Sequence, residues 1–333
     1  MLPLEPDTVI AHPLRPLPGT DLSLSPVGLG CWALGGLWWG QPVADAEAID
    51  TICAALDVGV NWVDTAPLYG HGRADELLVR ALGPRLRQIV VATKVGVHWD
   101  GDGAHAHSDL RPASIVADID ASLRRLRLDR LDLVQIHWPC ELGTPIQDSI
   151  AALVELQGLG KIAHFGACNY DADGLRQLAA AGPIACLQTP YSLLRREFEG
   201  PLRSALVDLP GRQEPLGVVV YEPLCRGLLT GKFSAIARFG DDDLRARDDR
   251  FKGPTFLRAL TVASRLQLVA RRLQVPVSAL AIAWAARQPG VTAAIAGAKS
   301  AQQVVENARA FEILARQDVP WPEIDRIAGS FRG

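Results

Sequence analysis

Apolar runs that suit strands alternate with helix-like segments over most of the chain. The strand-like runs end near eight residues: Gly30, Asp64, Lys94, His137, Ala167, Gln188, Tyr221 and Gly297. Between them, apolar side chains recur at helical spacing, as at Ile115, Ile119, Leu123 and Leu126. This alternation predicts an α/β fold with a parallel sheet, and eight strands are the number that closes a (β/α)8 TIM barrel.

Turn residues support this pattern. Pro112 suits the first turn of a helix, and a short stretch around Pro18 and Gly19 predicts an N-terminal β-hairpin. No Pro-, Gly- or Ser-rich linker divides the chain, so we expect residues 1–333 to form a single barrel domain.

Two segments interrupt the alternation, His98–Leu110 and Glu222–Thr255. Both are predicted to be long loops. Because loops that follow strands lie at the C-terminal face of a barrel, each is expected either to cover a ligand or to be a solvated excursion.

Composition excludes several classes of protein. The 333 residues are 48% hydrophobic and include 34 basic and 37 acidic side chains, a net charge of −3, with no basic stripe that would favour nucleic acid as a partner. No basic segment precedes an apolar stretch at the N-terminus, and no run of about 18 apolar residues occurs, so neither export nor a membrane span is expected.

The cysteines and histidines give no sign of a disulfide framework or a metal site. The six cysteines, at 31, 53, 140, 168, 186 and 225, contain no C-x-x-C pair and mostly fall in apolar runs. They are predicted to be reduced thiols in a cytoplasmic protein. His105 and His107 have no further ligand at suitable spacing, and no metal is predicted.

Three titratable residues end successive strand-like runs: Asp64, Lys94 and His137. Tyr69 follows Asp64 by five residues. Each has an ordinary structural explanation when taken singly, because a strand-end Asp often caps a helix, a Lys is usually solvated and a His is often a core residue. Their matching positions favour a shared site at the C-terminal face.

These residue types suit the reduction of a carbonyl by hydride transfer. That reaction builds negative charge on oxygen and requires a proton donor. The hydroxyl of Tyr69 is predicted to be the donor, with the Lys94 ammonium lowering its pKa, Asp64 holding Lys94, and His137 donating to the substrate oxygen.

Three segments resemble the aldo-keto reductase family: GVNWVDTAPLYGHG (59–72), VVATKVG (90–96) and LDLVQIHWP (131–139). The resemblance extends from VGLGCW (27–32) to IAGAKSAQQVVENA (295–308). It implies that Asp64, Tyr69, Lys94 and His137 are the catalytic tetrad. It also implies a barrel that binds NADP(H) in extended form without a Rossmann domain, in keeping with GLG (28–30), which lacks a third glycine.

The resemblance also assigns residues to the cofactor. Asn169 and Gln188 would hold the nicotinamide carboxamide, and Tyr191 would stack on its ring. Lys299 and Ser300, which open a helix, would bind the 2′-phosphate, although an ordinary capped helix start is the alternative. The remaining cofactor-binding positions are Trp32, Tyr221, Pro223, Leu224, Gly227, Leu228, Lys232, Gly297, Gln303, Glu306 and Asn307.

Two residues depart from the family pattern. Glu222 stands beside the predicted pyrophosphate segment, where many relatives carry a small residue, and its charge would repel phosphates unless it points away or pairs with a base. Ala74 occupies a position that is often Ser, which leaves the tetrad intact.

The substrate is expected to be a small-molecule carbonyl compound, and the sequence does not define it further. Trp32, Trp38, Trp39, Trp99 and Trp138 follow strand-like runs and are predicted to wall an apolar pocket. A monomer is compatible with the sequence. Two alternatives remain open: an NADP(H)-sensing regulatory protein similar to potassium-channel β subunits, and a barrel isomerase or hydrolase.

Overall fold

The computed structural model describes residues 12–100 and 105–331 of the chain. Eight strands form a closed barrel. They are β3 (Val27–Gly30), β4 (Trp62–Asp64), β5 (Val90–Val95), β8 (Leu131–Ile136), β9 (Ile162–Cys168), β10 (Cys186–Pro190), β11 (Gly217–Tyr221) and β12 (Val291–Gly297). Every neighbouring pair is parallel, and their order around the barrel is β10-β11-β12-β3-β4-β5-β8-β9. The predicted (β/α)8 barrel is confirmed.

Helices connect and cover these strands. They are α1 (Trp32–Gly35), α2 (Asp45–Asp57), α3 (Arg73–Leu82), α4 (Pro112–Leu126), α5 (Ile146–Gly158), α6 (Ala172–Ala181), α7 (Pro201–Ala205), α8 (Leu244–Arg247), α9 (Gly253–Leu273), α10 (Val277–Ala286), α11 (Ala301–Ala308), α12 (Ala310–Ala315) and α13 (Trp321–Gly329). In α4, Pro112 begins the first turn, and the stripe predicted from periodicity buries Ile115, Ile119 and Leu126.

An N-terminal hairpin closes the end of the barrel at which the strands begin. It pairs β1 (Arg15–Pro16) with β2 (Ser23–Leu24) in antiparallel fashion, as predicted. The side chains of Leu17 and Leu22 pack with residues of three barrel strands, Ala92, Leu133 and Cys186. Nη1 of Arg15 donates to the carbonyl of Ala286 at 2.6 Å, which ties the hairpin to the far end of the chain.

The first predicted loop, His98–Leu110, is partly regular, so that prediction was wrong for its two flanks. β6 (Val97–Trp99) pairs with β7 (Ala106–Ser108) as an antiparallel ribbon, while residues 101–104 lie outside the described part. The alternation of apolar and polar residues in this segment is too short to reveal the ribbon in sequence.

The second predicted loop, Glu222–Thr255, also contains regular turns, and α9 begins inside it at Gly253. Two short 3₁₀ segments, Cys225–Thr230 and Asp249–Phe251, flank α8. The charged stretch folds because its acids cap and pair locally: the carboxylates of Asp243 and Asp248 accept from the backbone N–H groups two residues ahead.

Within the described ranges, no single helix combines the length and apolar composition needed to cross a bilayer. Only α9 and α10 taken together pass that test, and they meet at a bend of 100°.

Candidate active site

The C-terminal ends of neighbouring strands bring Asp64, Lys94 and His137 together around Tyr69. Nζ of Lys94 donates to Oδ1 of Asp64 at 2.6 Å and to the Tyr69 hydroxyl oxygen at 3.0 Å. A third bond, at 3.0 Å, goes to the carbonyl of Thr65. The ammonium therefore uses all three of its donors inside the protein, and all of these groups are buried.

The Tyr69 ring is fixed from two sides. It lies nearly parallel to the ring of Trp32 with centroids 6.0 Å apart, and edge-on to His137 at 6.1 Å. The loop behind it passes so close to α1 that a Cβ at Gly70 would lie 2.2 Å from the carbonyl oxygen of Gly35. Gly70, with φ of +67°, is required at this turn.

The charge states of the tetrad follow from burial and from Lys94. Burial raises the pKa of Tyr69, and the Lys94 ammonium opposes that shift without cancelling it. Lys94 thus lowers the Tyr69 pKa as predicted, and desolvation of the buried hydroxyl is the larger and opposite effect.

Lys94 and His137 shift in opposite directions. Burial acts against the charge of Lys94, but the carboxylate of Asp64 outweighs it, and the pKa of Lys94 is raised. Burial and the nearby Lys94 charge hold the pKa of His137 well below its ordinary value. Lys94 is therefore an ammonium at neutral pH, and His137 is a neutral imidazole with one N–H donor.

A second set of hydrogen bonds surrounds the tetrad on the side of β9, β10 and β11. Nε2 of Gln188 donates to Oδ2 of Asp64 at 2.7 Å. Nδ2 of Asn169 donates to the carbonyl of His137 at 3.0 Å, and Oδ1 of Asn169 accepts from the Tyr221 hydroxyl at 2.8 Å. Residues predicted to hold a carboxamide therefore also touch the tetrad or its backbone.

A cleft of about 990 Å³ opens at this face. Asp64, Tyr69 and His137 line it, whereas Lys94 contacts Tyr69 without lining it. Most of the predicted cofactor positions also line the cleft: Trp32, Asn169, Gln188, Tyr221, Pro223, Leu224, Gly227, Lys232, Gly297, Lys299, Gln303, Glu306 and Asn307. The tryptophans that line it with Trp32 are Trp38, Trp39 and Trp138.

Tyr191 does not reach this cleft, and its predicted stacking role disagrees with the structure. Its ring is fully buried against Phe198 and Trp284, and its hydroxyl donates to Glu199 at 2.6 Å. Tyr221, at the end of the neighbouring strand, is the tyrosine that lines the cleft beside Asn169.

Three other predicted site residues do not line the cleft. Leu228 is fully buried in the core. Ser300 caps α11, its hydroxyl oxygen accepting from the backbone N–H of Gln303, which is the ordinary role weighed for it. Trp99 stacks on the ring of His71 with centroids 4.5 Å apart.

One end of the cleft is basic. Lys232, Arg245 and Lys299 all line it. Burial lowers the pKa of Lys232 and of Lys299, and the positive charge of Arg245 lowers both further. Mutual repulsion of this kind is relieved by a bound polyanion, so these residues fit the phosphates of a dinucleotide.

Arg245 was missed by the sequence prediction, although it belongs to the charge-dense segment DDDLRARDDRFKG. Its guanidinium lies 4.6 Å from the ring centroid of Phe239 and pairs with Asp243. Lys299 is also held, because its Nζ donates to the carbonyls of Trp39 at 2.8 Å and Gln41 at 3.2 Å. Both cations are therefore positioned by the protein itself.

Glu222, the residue expected to be repulsive unless paired, is paired with three arginines. Its carboxylate contacts Nε of Arg226 at 2.7 Å, Nη1 of Arg250 at 3.3 Å and Nη1 of Arg195 at 3.4 Å. Arg226 also lines the cleft. The carboxylate thus neutralises a cluster of bases rather than standing alone beside the predicted phosphate site.

In the described part of the chain, the cysteines form no disulfide and the potential metal ligands form no metal site. All six cysteines are free thiols. Among residues 12–100 and 105–331, no group of three or more His, Cys, Asp or Glu side chains could hold a metal ion.

Comparison with known proteins agrees with this geometry. The model of the Aldo/keto reductase family matches residues 26–328. The chain belongs to the aldo/keto reductase family. As a member of that family it is an oxidoreductase that uses a nicotinamide cofactor.

Relatives in this aldo/keto reductase family differ in what they do. The chain is 34% identical over 310 residues to the NADH-specific methylglyoxal reductase of Escherichia coli (strain K12), covering 90% of this chain and 93% of that protein. It is 30% identical over 310 residues to a probable voltage-gated potassium channel subunit beta of Oryza sativa subsp. japonica, covering 89% and 90%.

A solved structure supports the same family fold. The glycerol dehydrogenase AKR11B4 from Gluconobacter oxydans superposes with a TM-score of 0.83 at 35% identity, covering 95% of this chain and 94% of that one.

Proposed function

We propose that this aldo/keto reductase uses NADPH to reduce an aldehyde or ketone to an alcohol, with Tyr69 as the general acid, and that it works as one barrel domain. The observation that carries the proposal is the direction of one hydrogen bond. Lys94 donates to the Tyr69 hydroxyl oxygen, so the hydroxyl hydrogen remains for a substrate.

When bound, a reduced nicotinamide supplies a hydride to the carbonyl carbon. Tyr69 transfers its proton to the carbonyl oxygen, and Lys94 stabilises the tyrosinate that is left. Neutral His137, which lines the cleft beside Tyr69, donates its N–H to the same oxygen and orients the carbonyl. One hydride and one proton account for the alcohol.

Asn169, Gln188 and Tyr221 would hold the nicotinamide end, while Lys232, Arg245 and Lys299 would hold the phosphates. Three converging cations favour NADPH, which carries one phosphate more than NADH. Because the Escherichia coli relative is NADH-specific, the preference needs a direct test. We expect a lower Kd for NADPH than for NADH, and equal values or tighter NADH would overturn this part of the proposal.

Tyr69→Phe tests the catalytic assignment. The variant should bind NADPH as the wild type does, because the ring remains between Trp32 and His137, and it should lose about a hundredfold or more in kcat. Tyr191→Phe is a matched control that removes a hydroxyl bonded to Glu199 away from the cleft, and it should keep turnover. Equal activity of Tyr69→Phe and wild type would refute the assignment.

A regulatory role is the second candidate, favoured by the similarity to a probable potassium channel subunit beta. In that case bound NADPH would be oxidised only slowly by every aldehyde in a panel, and a partner protein would change its oxidation or its release. Rapid oxidation by any carbonyl in the panel favours the enzyme. A barrel isomerase or hydrolase is not favoured by membership of a redox family.

A further inference from the structure

Gln188 bridges two elements of the active site. It lies in β10 with 2% of its surface exposed. Its Nε2 donates to Oδ2 of Asp64 at 2.7 Å, and its Oε1 accepts from the thiol of Cys168 at 3.4 Å. Both ends of the side-chain amide are therefore engaged inside the protein.

The orientation of this amide is determined by its partners. A rotated amide would place Oε1 against the carboxylate of Asp64, where two acceptors repel each other, and would leave the Cys168 thiol without an oxygen acceptor. Asp64 has one donor on each oxygen: Lys94 on Oδ1 and Gln188 on Oδ2. Removing Gln188 would leave one carboxylate oxygen buried without that donor.

We propose that Gln188 is a positioning residue that holds Asp64, and through it Lys94, against the hydroxyl of Tyr69. The inference rests on the proposed function, because it assigns Gln188 a role in proton transfer from Tyr69. Holding the nicotinamide carboxamide is a separate role, since the amide retains a second N–H and a second lone pair.

The hydrogen bond from Gln188 to Asp64 also affects the electrostatic potential at Tyr69. The N–H of Gln188 presents the positive end of its dipole to Asp64, so its loss makes the potential at Tyr69 more negative and tyrosinate harder to form. The other titratable groups around Asp64, Lys94 and Tyr69 stay in place in such a variant: Cys31, Asp75, His137, Cys168, Cys186 and Tyr221.

The test compares the pH dependence of two variants. For alcohol oxidation by NADP⁺, kcat rises as Tyr69 gives up its proton. In Gln188→Met we expect the midpoint of this rise to move up by about one pH unit, and kcat for carbonyl reduction to fall about tenfold. Asn169→Ala is the matched control, because Asn169 faces the same cleft but bonds the His137 carbonyl and Tyr221 rather than Asp64. Its midpoint should not move.

Loss of a carboxamide contact would raise the Kd for NADPH in both variants without moving either midpoint. If Gln188→Met raises that Kd and leaves the midpoint at the wild-type value, Gln188 only holds cofactor and the proposal is overturned. In an Asp64→Asn background, Gln188→Met should cause no further shift. A full shift there would also overturn the proposal.

Two further measurements keep the test decisive. If Gln188→Met does not fold, Gln188→Leu replaces it, because it also removes the N–H that Asp64 accepts and adds no charge, and its midpoint should move up in the same way. In protein without cofactor, the ¹³C resonance of the Asp64 carboxyl should shift in Gln188→Met and not in Asn169→Ala. This readout is independent of turnover, so an inactive wild type would refute the proposed function without deciding the role of Gln188.

Discussion

Lys94 donates a 3.0 Å hydrogen bond to the hydroxyl oxygen of Tyr69, and both side chains are buried. Because burial alone raises the pKa of Tyr69, the ammonium is what makes proton release from this hydroxyl feasible. The two residues therefore act as one unit.

Replacing Lys94 should prevent efficient proton transfer from Tyr69. In Lys94→Met we expect kcat to fall by about a hundredfold or more, with the Kd for NADPH little changed because Lys94 does not line the cleft. Steady-state kinetics and fluorescence titration measure the two effects. Lys161→Met removes a lysine from a partly exposed pair with Asp120 and should behave like the wild type. A kcat close to wild type in Lys94→Met would contradict the mechanism.

His137 should make the protein less stable in mild acid. Its pKa is held well below the ordinary value of about 6.5, so below that pH the unfolded chain binds a proton that the folded protein does not. The free energy of unfolding should then fall by about 1.4 kcal/mol per pH unit from this residue alone.

Urea unfolding of His137→Asn between pH 5 and 7 checks this, with a slope against pH that is shallower than in the wild type. His105→Asn, at an exposed position, is the control and should keep the wild-type slope. Identical slopes in His137→Asn and wild type would show that His137 takes up its proton in the folded state as readily as in the unfolded chain.

Glu222→Gln should affect stability and cofactor affinity in opposite directions. The change removes the carboxylate that Arg195, Arg226 and Arg250 share, although Arg226 and Arg250 keep Asp248, and we expect it to cost about 1–3 kcal/mol because the cluster is largely buried. It also removes a negative charge from the cleft, so the Kd for NADPH should fall.

Urea unfolding and fluorescence titration measure the two quantities on the same sample. Glu312→Gln, which breaks an exposed pair with Arg309, should change neither. Weaker NADPH binding together with lower stability would mean that the cluster shapes the phosphate site rather than competing with it.

The tryptophans should select for apolar carbonyl compounds. Trp138 lines the cleft and its ring centroid lies 5.4 Å from that of His137. Trp138→Ala should lower kcat/KM for benzaldehyde by about tenfold and have less effect on methylglyoxal, which offers little surface to an indole. Trp99→Ala, away from the cleft against His71, should leave this ratio unchanged. Equal losses for the two aldehydes would argue against an aromatic wall.

Periodicity and strand-end chemistry were sufficient to predict the barrel and to place Asp64, Lys94 and His137 near one another, because parallel strands bring their C-terminal ends to one face. For Glu222 the sequence left two alternatives, a carboxylate that points away from the phosphate segment or one that pairs with a base, and the structure shows the pairing. Its actual partners were not foreseeable, since Arg195 and Arg250 come from segments far apart in the chain.

The site predictions failed where packing distant in sequence decides which of two similar residues lines the cleft. Tyr191 directly follows β10 and Tyr221 ends the neighbouring β11, and the ring of Tyr191 packs against Phe198 and Trp284 instead of lining the cleft. Likewise, no local pattern reveals that Lys299 bonds the carbonyl of Trp39, because that contact joins residues 260 positions apart. The sign of the net pKa shift at Tyr69 depended on its depth of burial, which a sequence does not state.

The N-terminal hairpin is part of the folded barrel although it precedes the residues matched by the family model. The family model begins at residue 26, yet Leu17 and Leu24 are fully buried and the indole N–H of Trp62 donates to the carbonyl of Ser25 at 2.9 Å. Without the hairpin, the apolar side chains at the N-terminal ends of the barrel strands would be exposed to water. A protein cut at the boundaries of the family match would therefore lack the hairpin that covers the N-terminal end of the barrel.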